Sequence, residues 1–245
     1  MPFYNQQPAQ ADWNMQVARS LVAQASSVNI YGYQAAVNSA FVPVWENNAA
    51  YVYPTVATTM LLYSTSASDT NISVLINGLD ATYAPISETL VLTNGTTGVT
   101  TTKSYFRINS IFIASAVANV GNIILGNAGK TETYAQITDG NGRSQMMIYT
   151  VPKGYTFYLT RSNAYSNQNG NTNNAYCTYR VWTKSSAGVQ QILLQAPFTS
   201  SYQTLRVVPR PYLEGTDIQW QANTPSGSAA VGIGVEGVLI SNSAM

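Results

Sequence analysis

The chain has 245 residues, enough for one large core or two of about 100 to 120 residues each. Charged side chains make up 9% of it against roughly 25% in an average globular domain, while hydrophobic residues reach 45%, so a neutral polar surface encloses a real core and offers little charge repulsion to close association. The absence of histidine and the single Cys177 exclude Ser/His and Cys/His catalysis, zinc sites built from His or paired Cys, and internal disulfides, and a net charge of +1 with no Lys/Arg block argues against nucleic acid.

In chain order, "MPFYNQQPAQADW" lacks a basic region followed by an apolar one, so no secretory signal is expected. No apolar run approaches the length of a membrane helix, and none is expected. Residues 12–26 are predicted as the one helix: Asp12 can cap it, and Trp13, Val17 and Leu21 recur every four residues. The following "VNIYGYQAAVNSAFVPVWENN" has no clean period and carries Gly32 and Pro43. It is expected to be an extended arm. Together with the helix it forms a predicted N-terminal unit, residues 1–49, that grips a neighbour through Trp13, Val17, Leu21 and Trp45.

From residue 50 the pattern is strand after strand. Six are predicted at 58–66, 71–77, 86–92, 103–116, 122–126 and 133–138. Seven more follow at 145–151, 155–162, 175–184, 189–196, 203–209, 216–222 and 230–241. Gly, Pro, Asn and Ser between short strands predict an all-β chain of two consecutive antiparallel, jelly-roll-like sandwiches, residues 50–141 and 142–245. "VPKGY" (151–155) and "KSSAGV" (184–189) are predicted hairpin turns. The polar stretch 166–174 is an expected exposed loop, and its Asn167, Gln168, Asn169 and Asn171 are candidates for touching a partner or a glycan. Cys177 is expected to be a small buried hydrophobe.

Asp80 and Glu88 raise the one question of catalysis, since a glycosidase needs two carboxyls about 5 to 9.5 Å apart across a cleft. Their setting suggests structure instead. Asp80 lies in the turn-forming "NGLDATYAP", where its side chain can accept backbone N–H groups, and Glu88 lies in the strand "ISETLVL". Asp69, Asp80 and Asp139 do not form a closely spaced calcium run, and "GNAGKTET" (126–133) lacks the spacing of a phosphate loop, leaving a surface turn that carries Lys130. No catalytic residue, metal or cofactor is expected. The 17 tyrosines suit sheet packing, subunit contact or sugar stacking. Asn71 and Asn94 match the glycosylation pattern, which carries little weight without a secretory route. Residues 1–100 carry one basic and five acidic side chains and residues 101–245 ten and five, so complementary halves could meet head to tail.

The stretch "ATTMLLYSTSASDT…VLINGLDATYAPISETLVLTNGTTGVTTTKSYFRIN", followed by "MIYTVPKGYTFYLT", resembles a family of structural proteins of tailed bacteriophages of marine and aquatic bacteria. The similarity spans roughly residues 51–160. It implies a virion component without enzymatic activity, made in the bacterial host cytoplasm, and transfers no functional residues. The resulting expectation is a capsid decoration or cement protein. Its partners would be its own copies, as a trimer or higher oligomer, and other virion proteins such as the major capsid protein. A neck, tail or fibre component that binds a host surface, and a carbohydrate-binding module, remain the alternatives.

Overall fold

The computed structural model of the chain describes residues 13–167 and 176–244. It opens on helix α1 (Trp13–Ala18) and strand β1 (Ala25–Val37), followed by β2 (Val42–Pro43). Next come β3 (Leu61–Ser64), β4 (Ile72–Leu79), β5 (Pro85–Leu92), β6 (Val99–Thr100), β7 (Arg107–Ile113), β8 (Ile123–Gly126) and β9 (Thr133–Ile137). The last run is β10 (Ile148–Thr150), β11 (Tyr155–Ser166), β12 (Cys177–Lys184), β13 (Gln190–Phe198), β14 (Ser201–Tyr212), β15 (Asp217–Asn223) and β16 (Ala229–Ser241), closed by a short 3-10 turn (Asn242–Ala244). All thirteen predicted strands are present, every named strand pair is antiparallel, and the chain has the all-β sandwich fold expected of it.

Two cores organise these strands. In one sandwich the sheet β6-β3-β8-β9 faces β5-β4-β7, with Leu62, Ile72, Ile76, Ile111 and Leu125 wholly buried between them. In the other, β1-β16-β11-β14 faces β10-β15-β12-β13, with β2 also on β15, and encloses Phe157, Tyr179, Trp220 and Ile233. Cys177 is buried here as a small apolar group, and desolvation raises its thiol pKa. Fully burying a Leu, Ile or Phe side chain of either core contributes about 1.5–3 kcal/mol.

The chain path differs from the expected order. Residues 25–37 are not an arm: β1 pairs with β16 along its length, from Ala25↔Ile240 to Val37↔Ala229, so β1 belongs to the second sandwich, and the chain leaves it to build the first before it returns. Gly32, taken from sequence as a breaker, is required within the strand. A Cβ there would run into the carbonyl oxygen of Val44 and the backbone of Met147. The two crossings lie side by side. Met147 N–H donates to Val44 O (2.9 Å), Val44 N–H to Trp220 O (3.1 Å) and Trp220 N–H to Met147 O (3.0 Å).

The helix is also shorter than expected. Leu21 N–H donates to Gln16 O at 2.9 Å, closing the last turn, and Ser20 and Gln24 take left-handed φ of 57° and 64°, which ends the right-handed helix before β1. The turn at 184–189 is the expected hairpin, with Gly188 at φ 86° between paired β12 and β13. The turn at 151–155 is not. Gly154 has φ 80°, but β10 and β11 belong to opposite sheets, so this turn carries the chain across the sandwich.

Candidate functional site

Asp80 and Glu88 hold two different turns. The Asp80 carboxylate accepts Thr82 N–H at 2.7 Å, Thr82 Oγ1–H at 2.8 Å and Ala84 N–H at 3.0 Å, which fixes the β4–β5 turn. Slight desolvation pushes its pKa up, but the donors from Thr82 and Ala84 and the nearby Lys153 charge outweigh it and hold the group below the usual carboxylate range. Glu88 stands on β5, three residues and roughly 10 Å along the strand from its first residue, Pro85. There its carboxylate accepts Thr102 N–H (3.1 Å) and Thr102 Oγ1–H (2.7 Å). Asp69 is buried and ties three segments, accepting from Ser64 Oγ, Val120 N–H (2.7 Å) and Gly121 N–H (3.0 Å). Lys130 donates to Thr96 O at 2.7 Å and lies over the Tyr63 ring. Among the described residues no cluster of three or more His, Cys, Asp or Glu is placed to hold a metal.

The four expected anchors separate. Trp45 is 1% exposed, donates Nε1–H to Ala49 O at 2.6 Å and meets Tyr51 edge to face, so it is a core residue and not a subunit contact. The reason is its place at a crossing, where Trp45 bridges to Met146 as the chain passes between sandwiches. Val17 is buried too, where α1 meets β1. Trp13 and Leu21 remain 45% and 60% exposed, with Met15 beside them at 55%. In the expected contact loop Asn167 is pinned to β16: its Oδ1 accepts Ala230 N–H at 2.9 Å and its N–H donates to Ala230 O at 3.2 Å. Gln168, Asn169 and Asn171 lie outside the described residues.

The joint between the sandwiches is a buried ion pair. Arg107 of β7 donates Nε–H to Asp217 Oδ1 (2.8 Å) and Nη2–H to Asp217 Oδ2 (3.0 Å), while Nη1–H serves the carbonyls of Pro54 (3.1 Å) and Phe106 (2.8 Å). Thr150 Oγ1–H adds a third donor to Asp217 at 2.7 Å, and the Phe106 ring lies 3.9 Å from the guanidinium. Desolvation pulls the Arg107 pKa down, but the bonded Asp217 more than offsets it, and the net shift is upward. Beside it the Asn109 amide exchanges two hydrogen bonds with the Thr150 backbone, at 3.0 and 2.9 Å. One signal for this joint was visible in the sequence, an arginine among the apolar residues of "SYFRINSIF".

Two surfaces stand out among the described residues. The first is a cleft of about 580 Å³ beside this joint, within the range of ligand pockets. One wall is the outer edge of β1 at residues 26–31; the other carries Asn77, Asn109, Ser110 and Arg143, which forms no ion pair among the described residues. At its mouth Tyr31 stacks on Tyr165 across β16, the two hydroxyls in contact. The second surface is a ridge on β14, where Leu205, Val207 and Val208 are 75%, 97% and 81% exposed.

No family model matches the chain, and neither does any curated protein. Among solved structures, the crystal structure of the infectious bursal disease virus VP2 subviral particle aligns with 89% of this chain and 81% of that one, at 6% identity and a TM-score of 0.13. That likeness is too slight to carry an argument. Among the described residues no helix is long and apolar enough to cross a membrane.

Proposed function

We propose that the chain is a non-enzymatic structural component of a tailed-phage virion, a self-associating capsid decoration or cement protein. The observation that carries this reading is the β14 ridge, three large aliphatic side chains almost fully in water on a surface with little charge to keep copies apart. The buried Arg107–Asp217 pair that ties the sandwiches together supports it, because a tiling subunit presents its contacts at fixed angles. The phage setting comes from the resemblance of residues 51–160. Localisation in the virion and partnership with a major capsid protein belong to this proposal. Gold-labelled antibody on intact particles tests it: label spread over the head supports decoration, label confined to one vertex supports a neck or tail component, and no label refutes a virion role.

A second reading, contact with a host-surface glycan, draws on the cleft with its amides, Arg143 and the Tyr31–Tyr165 pair. A glycan array with the purified chain tests it, and an array without hits removes it.

A further inference from the structure

Charge divides between the sandwiches. With the buried Arg107–Asp217 pair set aside, residues 46–146, which build the first, carry six acidic and three basic side chains. The described residues of the second carry two acidic and seven basic ones. An exposed apolar surface lies on each side of that division.

On the second sandwich, the β14 ridge of Leu205, Val207 and Val208 stands within residues 189–213, a stretch whose charges are Arg206 and Arg210 alone. Both arginines line the shallow groove beside Val208 and are anchored there, Arg206 on Ser162 Oγ (3.2 Å) and Arg210 on Leu193 O (3.1 Å). On the first sandwich, the loop after β7 and the turn after β9 form a groove of about 250 Å³ lined by Ile113, Ala116, Val117, Ala118, Gly140 and Gly142. Val117 and Val120 of that loop are 49% and 63% exposed, and the exposed Asp139 precedes Gly140 in the turn. Asn119, 4% exposed, lines the groove as well. Its amide donates to Gly121 O (2.8 Å) and Thr138 O (3.2 Å), and its Oδ1 has no partner among the described residues. The groove is therefore apolar, with a carboxylate at its rim and no basic side chain in its lining.

We infer that the β14 ridge of one copy seats in this groove of a second copy, aliphatic side chains against aliphatic side chains and Arg206 and Arg210 toward Asp139. This rests on the self-associating reading above. Charge complementarity selects the arrangement: ridge against ridge would set the arginines beside their own copies, and like charges juxtaposed across an interface oppose binding. Topology excludes the same chain. In the sheet β1-β16-β11-β14, β1 faces the first sandwich across the cleft and β14 is the opposite edge, three strand spacings or roughly 14 Å further away. A chain thus cannot seat its own ridge in its own groove. Because the two patches differ, each copy offers a ridge to one neighbour and a groove to another, and the contact closes into a ring where the rotation allows.

The test uses Val207→Asp to spoil the ridge and Val117→Asp to spoil the groove, both at exposed positions, with circular dichroism to verify the fold. In sedimentation equilibrium the full chain should assemble beyond a monomer. Each variant alone should remain monomeric at concentrations at least roughly tenfold higher. An equimolar mixture of the two should form a 1:1 dimer and nothing larger, because one intact ridge and one intact groove remain. Asp139→Lys should weaken assembly at least roughly tenfold. If Val207→Asp is monomeric while Val117→Asp assembles like the full chain, the contact is ridge to ridge, which overturns the inference and leaves self-association standing. A mixture that stays monomeric, or assembly that ignores Asp139→Lys, overturns it likewise. A full chain that is monomeric at every concentration defeats the self-associating reading together with the inference.

Discussion

Removing the carboxylate of Asp217 would leave the Arg107 guanidinium in a site where both groups are almost fully buried. A buried charge without its partner costs about 3–5 kcal/mol, so Asp217→Ala should lower the unfolding free energy by that amount in denaturant titration. The double change Arg107→Met with Asp217→Leu should cost clearly less, because it removes the desolvated charge along with the bond. Two surface-proximal acids should respond to pH with opposite signs. The Asp80 pKa is depressed, so its contribution is present above the unfolded carboxylate value of about 3.9 and is lost as pH falls through the folded one. Desolvation raises the Glu46 pKa, only partly countered by hydrogen bonds from Asn141 and Thr138. Its folded form therefore holds the proton better, and stability falls as pH rises from about 4.3 towards the folded value. Unfolding midpoints measured between pH 3 and 6 should show Asp80→Asn flattening the acid limb and Glu46→Gln steepening it.

At the scale of elements, the strands were legible because inward and outward residues alternate and Gly, Pro and Asn punctuate them, as in "ISVLINGL" against the turn at Asp80. β1 escaped because Gly32 resembles a break in sequence, whereas in the fold it marks the close approach of Val44 and Met147. Gly32→Ala should destabilise by about 1–3 kcal/mol or more, read as a shift in the denaturation midpoint, since the backbone of Val44 and Met147, and not only the Met147 side chain, stands in the way. The helix over 12–26 was overextended for a related reason. Its apolar period is real, but left-handed turns at Ser20 and Gln24 redirect the chain into β1. The β14 ridge had no sequence signal of its own, because "TLRVVP" reads as an ordinary half-buried strand until the topology makes it an edge. Val207→Ser should leave the unfolding free energy within about 0.5 kcal/mol and weaken self-association in sedimentation equilibrium.

For the whole molecule, local patterns do not reveal which strands share a sandwich. That depends on long-range pairings such as β1 with β16 and on a single ion pair more than a hundred residues apart in sequence. The consequence for function is that residues 25–45, expected to reach outward, are committed to the fold, while outward-facing features among the described residues include Trp13, Leu21, the open edge of β1 and the β14 ridge. The two cores are tied by the buried Arg107–Asp217 pair, and apolar surface stays exposed at the β14 ridge. The most direct measurement is the copy number of this chain in gradient-purified particles, by quantitative mass spectrometry against the major capsid protein. The expected result is a fixed whole-number ratio corresponding to hundreds of copies per particle; a chain that is absent, or that washes away to no fixed ratio, would contradict a structural role in the virion.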